Sequence, residues 1–340
     1  MRGGAMLRRV RPAVLRGCGC VPSVADIARM VCNRFMEHTA DAPRRLLRTI
    51  AAQRTSDGAG VSLWRSLGQS QFARLDPFLM LDEFGSDKPG EYIKGFPPHP
   101  HRGFQTVTYM LAGHMLHEDH MGNRGHLRAG DVQWMNAGRG IIHSEMPQQE
   151  SGLMRGFQLW INLPAAEKMR PAEYRDIPAA AIPELADAAG VRAKVVAGEL
   201  ALGGGRASGP VTGMSTQPLF IDLELPAGAA FSLGLPASHH AYCYVYEGAL
   251  VVPDADGGEV TLRARQGGVL DDGDRLALRA SDAGARALLL AARPIGEPVV
   301  QYGPFVMNTR EEIDQAIRDF QSGRLAAPAG PGPASPAPIR

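Results

Sequence analysis

The sequence predicts an all-β protein, two tandem barrels in one chain followed by a short C-terminal helix. Three observations carry this. Glycine and proline number 40 and 26 among 340 residues, as many short strands joined by tight turns require. Runs rich in β-branched and aromatic residues recur at strand length. Phe104-Gln-Thr-Val-Thr-Tyr-Met-Leu111 is one, and Pro218-Leu-Phe-Ile-Asp-Leu-Glu-Leu225 alternates as a half-buried strand does. The length suffices for two domains of ordinary size.

The elements follow in chain order. Residues 1–50 read as a basic extension outside the folded part, with one helix near Ala25–Met36. Their ten arginines, no lysine and three acids give about +7, leaving −6 for the remainder of a chain of net charge +1. Such an arm fits an acidic surface or an organellar transit segment. The preferred reading is a start assigned too far upstream, with translation beginning near Met36 or later. Residues 55–165 form the first barrel, and Pro164 to Pro171 a proline-bounded linker. Residues 172–305 form the second barrel. Gly248 to Val252, Val260 to Arg263 and Ala287 to Ala291 supply further strands. A helix spans 309–323. Thr309 and Glu312 have capping-box spacing, Ile313, Ile317 and Phe320 share one face, and Gly323 stops it. Residues 325–340 are Ala, Pro and Gly without apolar period and are expected to be disordered.

Chemistry concentrates in two short segments, Gly95-Phe-Pro-Pro-His-Pro-His-Arg-Gly-Phe-Gln-Thr106 and Asn136-Ala-Gly-Arg-Gly-Ile-Ile-His-Ser-Glu145. Side chains two apart on a strand share a face. His99 and His101 therefore project together, and His143 and Glu145 do so on a second strand. A lone His-x-His on a strand usually faces solvent. Two such pairs across one barrel wall point instead to a metal held by three imidazoles and a carboxylate. Ligand type leaves the ion open among Fe(II), Cu(II), Ni(II), Mn(II) and Zn(II). A closed tetrahedral zinc would be structural, whereas an octahedral ion would keep open positions for a chelating substrate or dioxygen.

These segments resemble the paired motifs of the cupin superfamily, with three departures. Only three residues separate Gly95 from His99, Gln105 stands where a glutamate is usual, and Asn136 replaces a proline. The departures point to one branch. Asp76-Pro-Phe-Leu-Met-Leu-Asp-Glu-Phe84, Phe96 to Phe104, Gly130-Asp-Val-Gln-Trp-Met135, Ala137 to Pro147 and Gly303-Pro-Phe-Val-Met-Asn-Thr309 together resemble the pirin family. The resemblance runs from about Trp64 to about Gly323 and covers nothing before about Arg54.

It implies two cupin barrels, with one divalent ion, usually Fe(II), in the first, on His99, His101, His143 and Glu145. It also implies a quercetin 2,3-dioxygenase activity, described for several bacterial members, on a small aromatic chelating, flavonol-like substrate. Glu145 is then the candidate base for the substrate hydroxyl, if it leaves the metal. The alternative is a non-enzymatic, iron-dependent redox-sensing regulator acting through a protein partner, as described for vertebrate members, with the surface loop Arg139-Gly-Ile-Ile142 near the metal. A zinc or manganese enzyme of another type is the third reading.

Other residues carry less. Gln105, a poor ligand, is expected to hydrogen-bond the ligands. His114, His117, His120 and His126 follow a strand without a two-residue repeat and read as a solvated hairpin. His239 and His240 are adjacent, so they face opposite sides of a strand, and the second barrel is expected to carry no metal. Phe96, Phe104, Trp134, Phe157, Met110 and Met135 are candidates for either pocket wall or core. The four cysteines, Cys18, Cys20, Cys32 and Cys243, form no Cys-x-x-Cys pair, which fits a reducing, cytoplasmic setting. No run of about 18 apolar residues occurs, so no helical membrane span is expected. Nucleic-acid binding has no support outside the arm, and a monomer is the expected state.

Overall fold

The computed structural model describes residues 42–70 and 73–326. The extension's first 41 residues, and with them the helix expected near Ala25–Met36, Cys18, Cys20, Cys32 and the acid-free start, lie outside them. So do residues 327–340 of the tail.

The first half contributes β1 (Leu46–Ala51), β2 (Gln53–Asp57), β3 (Val61–Arg65), β4 (Phe78–Ser86), β5 (Phe96–His101), β6 (Phe104–Ala112), β7 (His114–Asp119), β8 (Arg124–Arg128), β9 (Val132–Asn136), β10 (Ile141–Pro147) and β11 (Met154–Asn162). The second half contributes β12 (Glu173–Ile177), β13 (Glu184–Ala186), β14 (Arg192–Ala197), β15 (Glu199–Leu202), β16 (Gly205–Ser208), β17 (Leu219–Leu225), β18 (Ala230–Gly234), β19 (His240–Pro253), β20 (Glu259–Arg263), β21 (Gln266–Leu270) and β22 (Arg275–Ala292). A hairpin of β23 (Val300–Tyr302) and β24 (Phe305–Met307) leads into α1 (Arg310–Gln321).

The first barrel closes a seven-stranded sheet, ordered β12-β9-β6-β11-β4-β3-β2, over a four-stranded sheet ordered β5-β10-β7-β8. The second barrel is built from a nine-stranded sheet whose main path is β1-β21-β19-β22-β17-β14-β13. Its interior is aliphatic, with Leu223, Leu225, Leu250, Leu262, Leu276 and Leu289 among its buried residues. The large sheets of the two barrels pack face to face. Val107, Tyr109, Trp134, Phe157 and Leu159 meet Phe220, Tyr242, Tyr244, Leu288 and Leu290 in one core. Polar atoms caught there are paired, as burial demands. Tyr109 Oη donates to Asp222 Oδ2 at 2.6 Å, Tyr246 Oη donates to Oδ1 of the same carboxylate, and Tyr244 Oη donates to Glu83 Oε2 at 2.9 Å.

Two strands fall outside the expected boundaries. Leu46–Ala51, assigned to the extension, pairs with Gln266–Leu270 of the second barrel. Leu46 and Ile50 are buried there, and the adjoining Arg44 is fully buried, donating to the carbonyls of Asp271 and Pro236 at 2.7 and 2.8 Å. The arginine-rich composition masked a strand whose two inward residues suffice to dock it. Glu173–Ile177, assigned to the second barrel, pairs with Val132–Asn136 of the first. Each barrel thus takes an edge strand from beyond its own segment.

The expected capping box is present. Thr309 accepts from the backbone N–H of Glu312, and the Glu312 side chain accepts from that of Thr309. Ile313 and Ala316 are buried and Ile317 packs beside them, while Phe320 stays 41% exposed. Leu325, expected in the disordered tail, is buried in the same cluster. That cluster lies over Gly140, where an added Cβ would sit 2.4 Å from the Leu325 carbonyl. The Arg139–Ile142 loop is therefore covered by the C-terminal segment and is not the open surface the sequence suggested.

Candidate metal centre

Strand β5 reads Phe-Pro-Pro-His-Pro-His. Proline cannot donate to a ladder, which confines such a sequence to a sheet edge, and β5 is the edge strand of its sheet. The prolines hold the segment extended, so His99 and His101 project to the same side. Strand β10 pairs with it antiparallel, bringing His143 opposite His99. The turn before β5 needs glycine. Gly95 has φ +55°, and an added Cβ would lie 2.6 Å from the Glu145 carbonyl.

Nitrogens of His99, His101 and His143 lie within 4.8 Å of one another. The ring centroids of His99 and His143 are 4.4 Å apart, and those of His101 and His143 4.9 Å. His99 Nδ1 stands 2.9 Å from the Pro97 carbonyl. A carbonyl only accepts, so Nδ1 carries the proton and Nε2 keeps its lone pair. His101 Nδ1 and His143 Nε2 are buried with no protein partner. Burial, then the neighbouring imidazoles, hold His101 and His143 well below the usual histidine range. They are neutral at physiological pH, the state a ligand requires. Orphaned, buried, neutral nitrogens beside a carboxylate are a donor set that fits a divalent transition metal.

Glu145 is buried and accepts from Thr108 Oγ1 at 2.9 Å. Its carboxylate forms a second compact group with His143 and His117. His117 is the residue sequence reasoning missed. It is fully buried, opposite Glu145 across the β7–β10 pairing, not part of a solvated hairpin. The signal available was His117-x-Asp119, which repeats the two-residue spacing of His143-x-Glu145. The other three histidines of that region do lie outward: His114 Nε2 pairs with His126 Nδ1 at 2.8 Å in an exposed contact, and His120 accepts from the Ile142 N–H.

Gln105 does not support the ligands. Along β6, Thr108 faces the metal centre, whereas Val107 and Tyr109 face the second barrel, and Gln105 shares their parity. Its amide accepts from Trp134 Nε1 at 3.2 Å and donates to Met214 Sδ. The same alternation sends Trp134 and Phe157 into the inter-barrel core.

A cavity of about 620 Å³ opens beside His99, His101 and Glu145. Leu63, Leu79, Phe84, Phe96 and Trp160 supply its apolar walls, and Arg65, Asp82, Gln158 and Gln301 its polar points. Of the candidate aromatics, Phe96 alone lines it. Phe104 stands behind His101 at 5.1 Å, and Trp160, on the opposite parity of β11 from Phe157, meets His101 edge-on at 5.2 Å. Arg65 grips Asp82 through Nε and Nη2 at 2.8 and 2.7 Å. Burial pushes the Asp82 carboxyl up to about 6 against the opposing pull of Arg65.

Two packed barrels, one with imidazoles and a carboxylate turned into a cavity, define a bicupin protein. The pirin family pattern matches residues 60–161, and that of the pirin C-terminal cupin domain matches residues 220–326. A Pseudomonas aeruginosa protein provisionally named quercetin 2,3-dioxygenase is 54% identical over 80% of this chain and 94% of its own. A pirin-like protein of Caulobacter vibrioides is 48% identical over 83% of this chain and 99% of its own. The crystal structure of a quercetin 2,3-dioxygenase from Acinetobacter baumannii superposes with a TM-score of 0.76 at 34% identity, covering 84% of this chain and 99% of that one. The chain belongs to the pirin family. No helix among the described residues is long and apolar enough to cross a membrane.

Proposed function

We propose that this chain is a metal-dependent quercetin 2,3-dioxygenase, holding one Fe(II) on His99, His101, His143 and Glu145 and opening a flavonol ring with dioxygen. The observation that carries the reading is the pair of buried, unpartnered nitrogens on His101 and His143, in rings whose donor atoms lie within 4.8 Å of one another and of His99, beside a cavity that His99, His101 and Glu145 line. The names given to the Pseudomonas and Acinetobacter proteins support the substrate class.

A redox-active ion bound there would supply open positions for a chelating hydroxy-ketone and for dioxygen. The chain's own residues do the rest. Phe96, Phe84 and Trp160 would clamp the planar rings and exclude water. Arg65, Gln158 and Gln301 offer hydrogen bonds to ring hydroxyls at the cavity wall. Glu145 would take the proton of the chelating hydroxyl on a carboxylate oxygen, with Thr108 Oγ1 holding Oε1 in place.

Anaerobic purification with elemental analysis, followed by oxygen uptake with quercetin, tests this. One equivalent of iron, with stoichiometric uptake and carbon monoxide release, is the expected result. Iron without uptake would favour the redox-sensing regulator. Zinc alone, with no uptake after iron reconstitution, would remove oxygen chemistry.

A further inference from the structure

We infer that His117 and Asp119 form a relay behind His143, fixing which nitrogen of that ring faces the metal. The inference rests on the metal reading above. Pairing of β7 with β10 sets His117 opposite Glu145 and Asp119 opposite His143. His117 Nδ1 lies 3.3 Å from His143 Nδ1. Its Nε2 has no hydrogen-bond partner and faces Asp119 Oδ2 at 3.6 Å, with both side chains fully buried. Tyr174 stacks on the His117 ring at 4.6 Å and 29°, so the ring is held in place. Asp119 is fixed too. Its Oδ1 accepts from the N–H groups of Met121 and Asn123 at 2.9 and 3.1 Å, and its Oδ2 from Asn123 Nδ2 at 2.8 Å.

Proton counting sets the polarity of the chain. A neutral imidazole has one donor and one acceptor, so one of the two facing Nδ1 atoms carries hydrogen. If His117 were the donor, the His143 proton would sit on its buried Nε2, where no protein atom accepts it. His117 Nε2 would then be a bare lone pair facing a carboxylate. The other assignment removes both conflicts and turns the His117 Nε2–H toward the Asp119 carboxylate, which at 3.6 Å attracts it as a charge and not through a hydrogen bond. His143 Nδ1–H donates to His117 Nδ1, His117 Nε2–H points at Asp119, and His143 Nε2 is free for the metal. A carboxylate behind a ligating histidine orients the ring and raises its basicity; here a second imidazole extends that arrangement by one link. His117 and Asp119 are positioning residues on this account.

The alternative is that His117 is itself a ligand, since its nitrogen lies within 4.8 Å of donor atoms of His143 and Glu145. Titration of the purified full chain with Cu(II), followed by pulsed EPR, separates the cases. The non-coordinated nitrogen of a bound imidazole gives a quadrupole signal that reports its hydrogen bond. His117→Leu should weaken Cu(II) binding about 10- to 100-fold, leave the number of coordinated imidazoles unchanged and shift one remote-nitrogen signal. His117→Asn, whose amide oxygen can accept near the position of Nδ1, should restore much of both. Asp119→Asn keeps the hairpin's acceptor oxygen and should shift the same signal less. Wild-type affinity with an unshifted signal in His117→Leu or, should that variant misfold, in Asp119→Asn would overturn the relay. Loss of one coordinated imidazole in His117→Leu would make His117 a ligand and likewise overturn it. A wild-type chain that binds no Cu(II) would remove the metal reading itself.

Discussion

His101 and His143 are buried as neutral rings whose free nitrogens no protein group satisfies, a costly arrangement unless something completes it. His101→Ala should therefore lower metal affinity by roughly tenfold or more and abolish turnover; full metal content after dialysis would reject the residue as a ligand. Glu145→Gln should retain part of the metal while slowing turnover, and an unchanged rate would remove the carboxylate from proton transfer. Lys168 is a different residue-scale case. It is 1% exposed, and Nζ donates to Gly103 O, Asn162 Oδ1 and Val306 O at 2.7, 2.6 and 3.1 Å. Burial lowers its pKa to about 8, below the ordinary value of about 10.4. Between those two values the unfolded chain holds a proton that the folded chain has released, so this group makes stability rise with pH across that window. The cost is fully present below pH 8. Lys168→Met should lose about 3 kcal/mol at neutral pH through the carbonyls left unpaired, and the gap to wild type should widen by pH 9.5. Denaturant midpoints that stay parallel from pH 7 to pH 9.5 would refute this. The clustering of His99, His101 and His143 and the closeness of Glu145 to His143 were legible in the sequence because each pair lies within one strand, where spacing alone defines a face. For His117 the local spacing to Asp119 puts both side chains on one face, but that this face lies beside the metal centre depends on β7 pairing with β10, a long-range contact. Gln105 was misread because its motif position says nothing about which way the β6 pleat turns it.

At the scale of elements, the C-terminal hairpin and α1 serve the metal barrel. Arg102 binds Asp319 at 2.8 Å, its N–H reaches the Pro304 carbonyl, and Pro304 lines the cavity. The helix was legible from its capping box and apolar stripe, but its partner was not, since nothing in the stripe names the surface it covers. Gly103 is where the two meet. It has φ +89°, and an added Cβ would lie 2.0 Å from the Val306 carbonyl. Gly103→Ala must adopt an unfavourable backbone conformation and displace the hairpin, costing about 1–3 kcal/mol. Because His101 is two residues away, metal affinity should fall as well. Chemical denaturation and metal titration check both effects, and a variant with wild-type values in each would show that the hairpin does not brace the motif.

At the scale of the molecule, composition and motif placed two barrels in order along the chain, but not the exchange of their edges. β1 completes the second barrel and β12 the first, and both strands lie in segments whose local character pointed elsewhere. The consequence is energetic coupling. Unfolding one barrel would strip an edge from the other and expose the shared face of Val107, Phe157, Phe220 and Leu288. It would also leave the Asp222 carboxylate without Tyr109 or Tyr246. Those losses make partial unfolding unfavourable, so the chain should unfold in one cooperative transition, with calorimetric and van't Hoff enthalpies in agreement. Metal bound only to the native first barrel stabilises whatever unfolds with it, by an amount set by concentration over Kd. Calorimetry of the metal-free and metal-loaded chain should therefore show a single transition that moves upward as a whole. Independent barrels would behave otherwise: a second transition would persist at the same temperature with and without metal, and its appearance would refute the coupling.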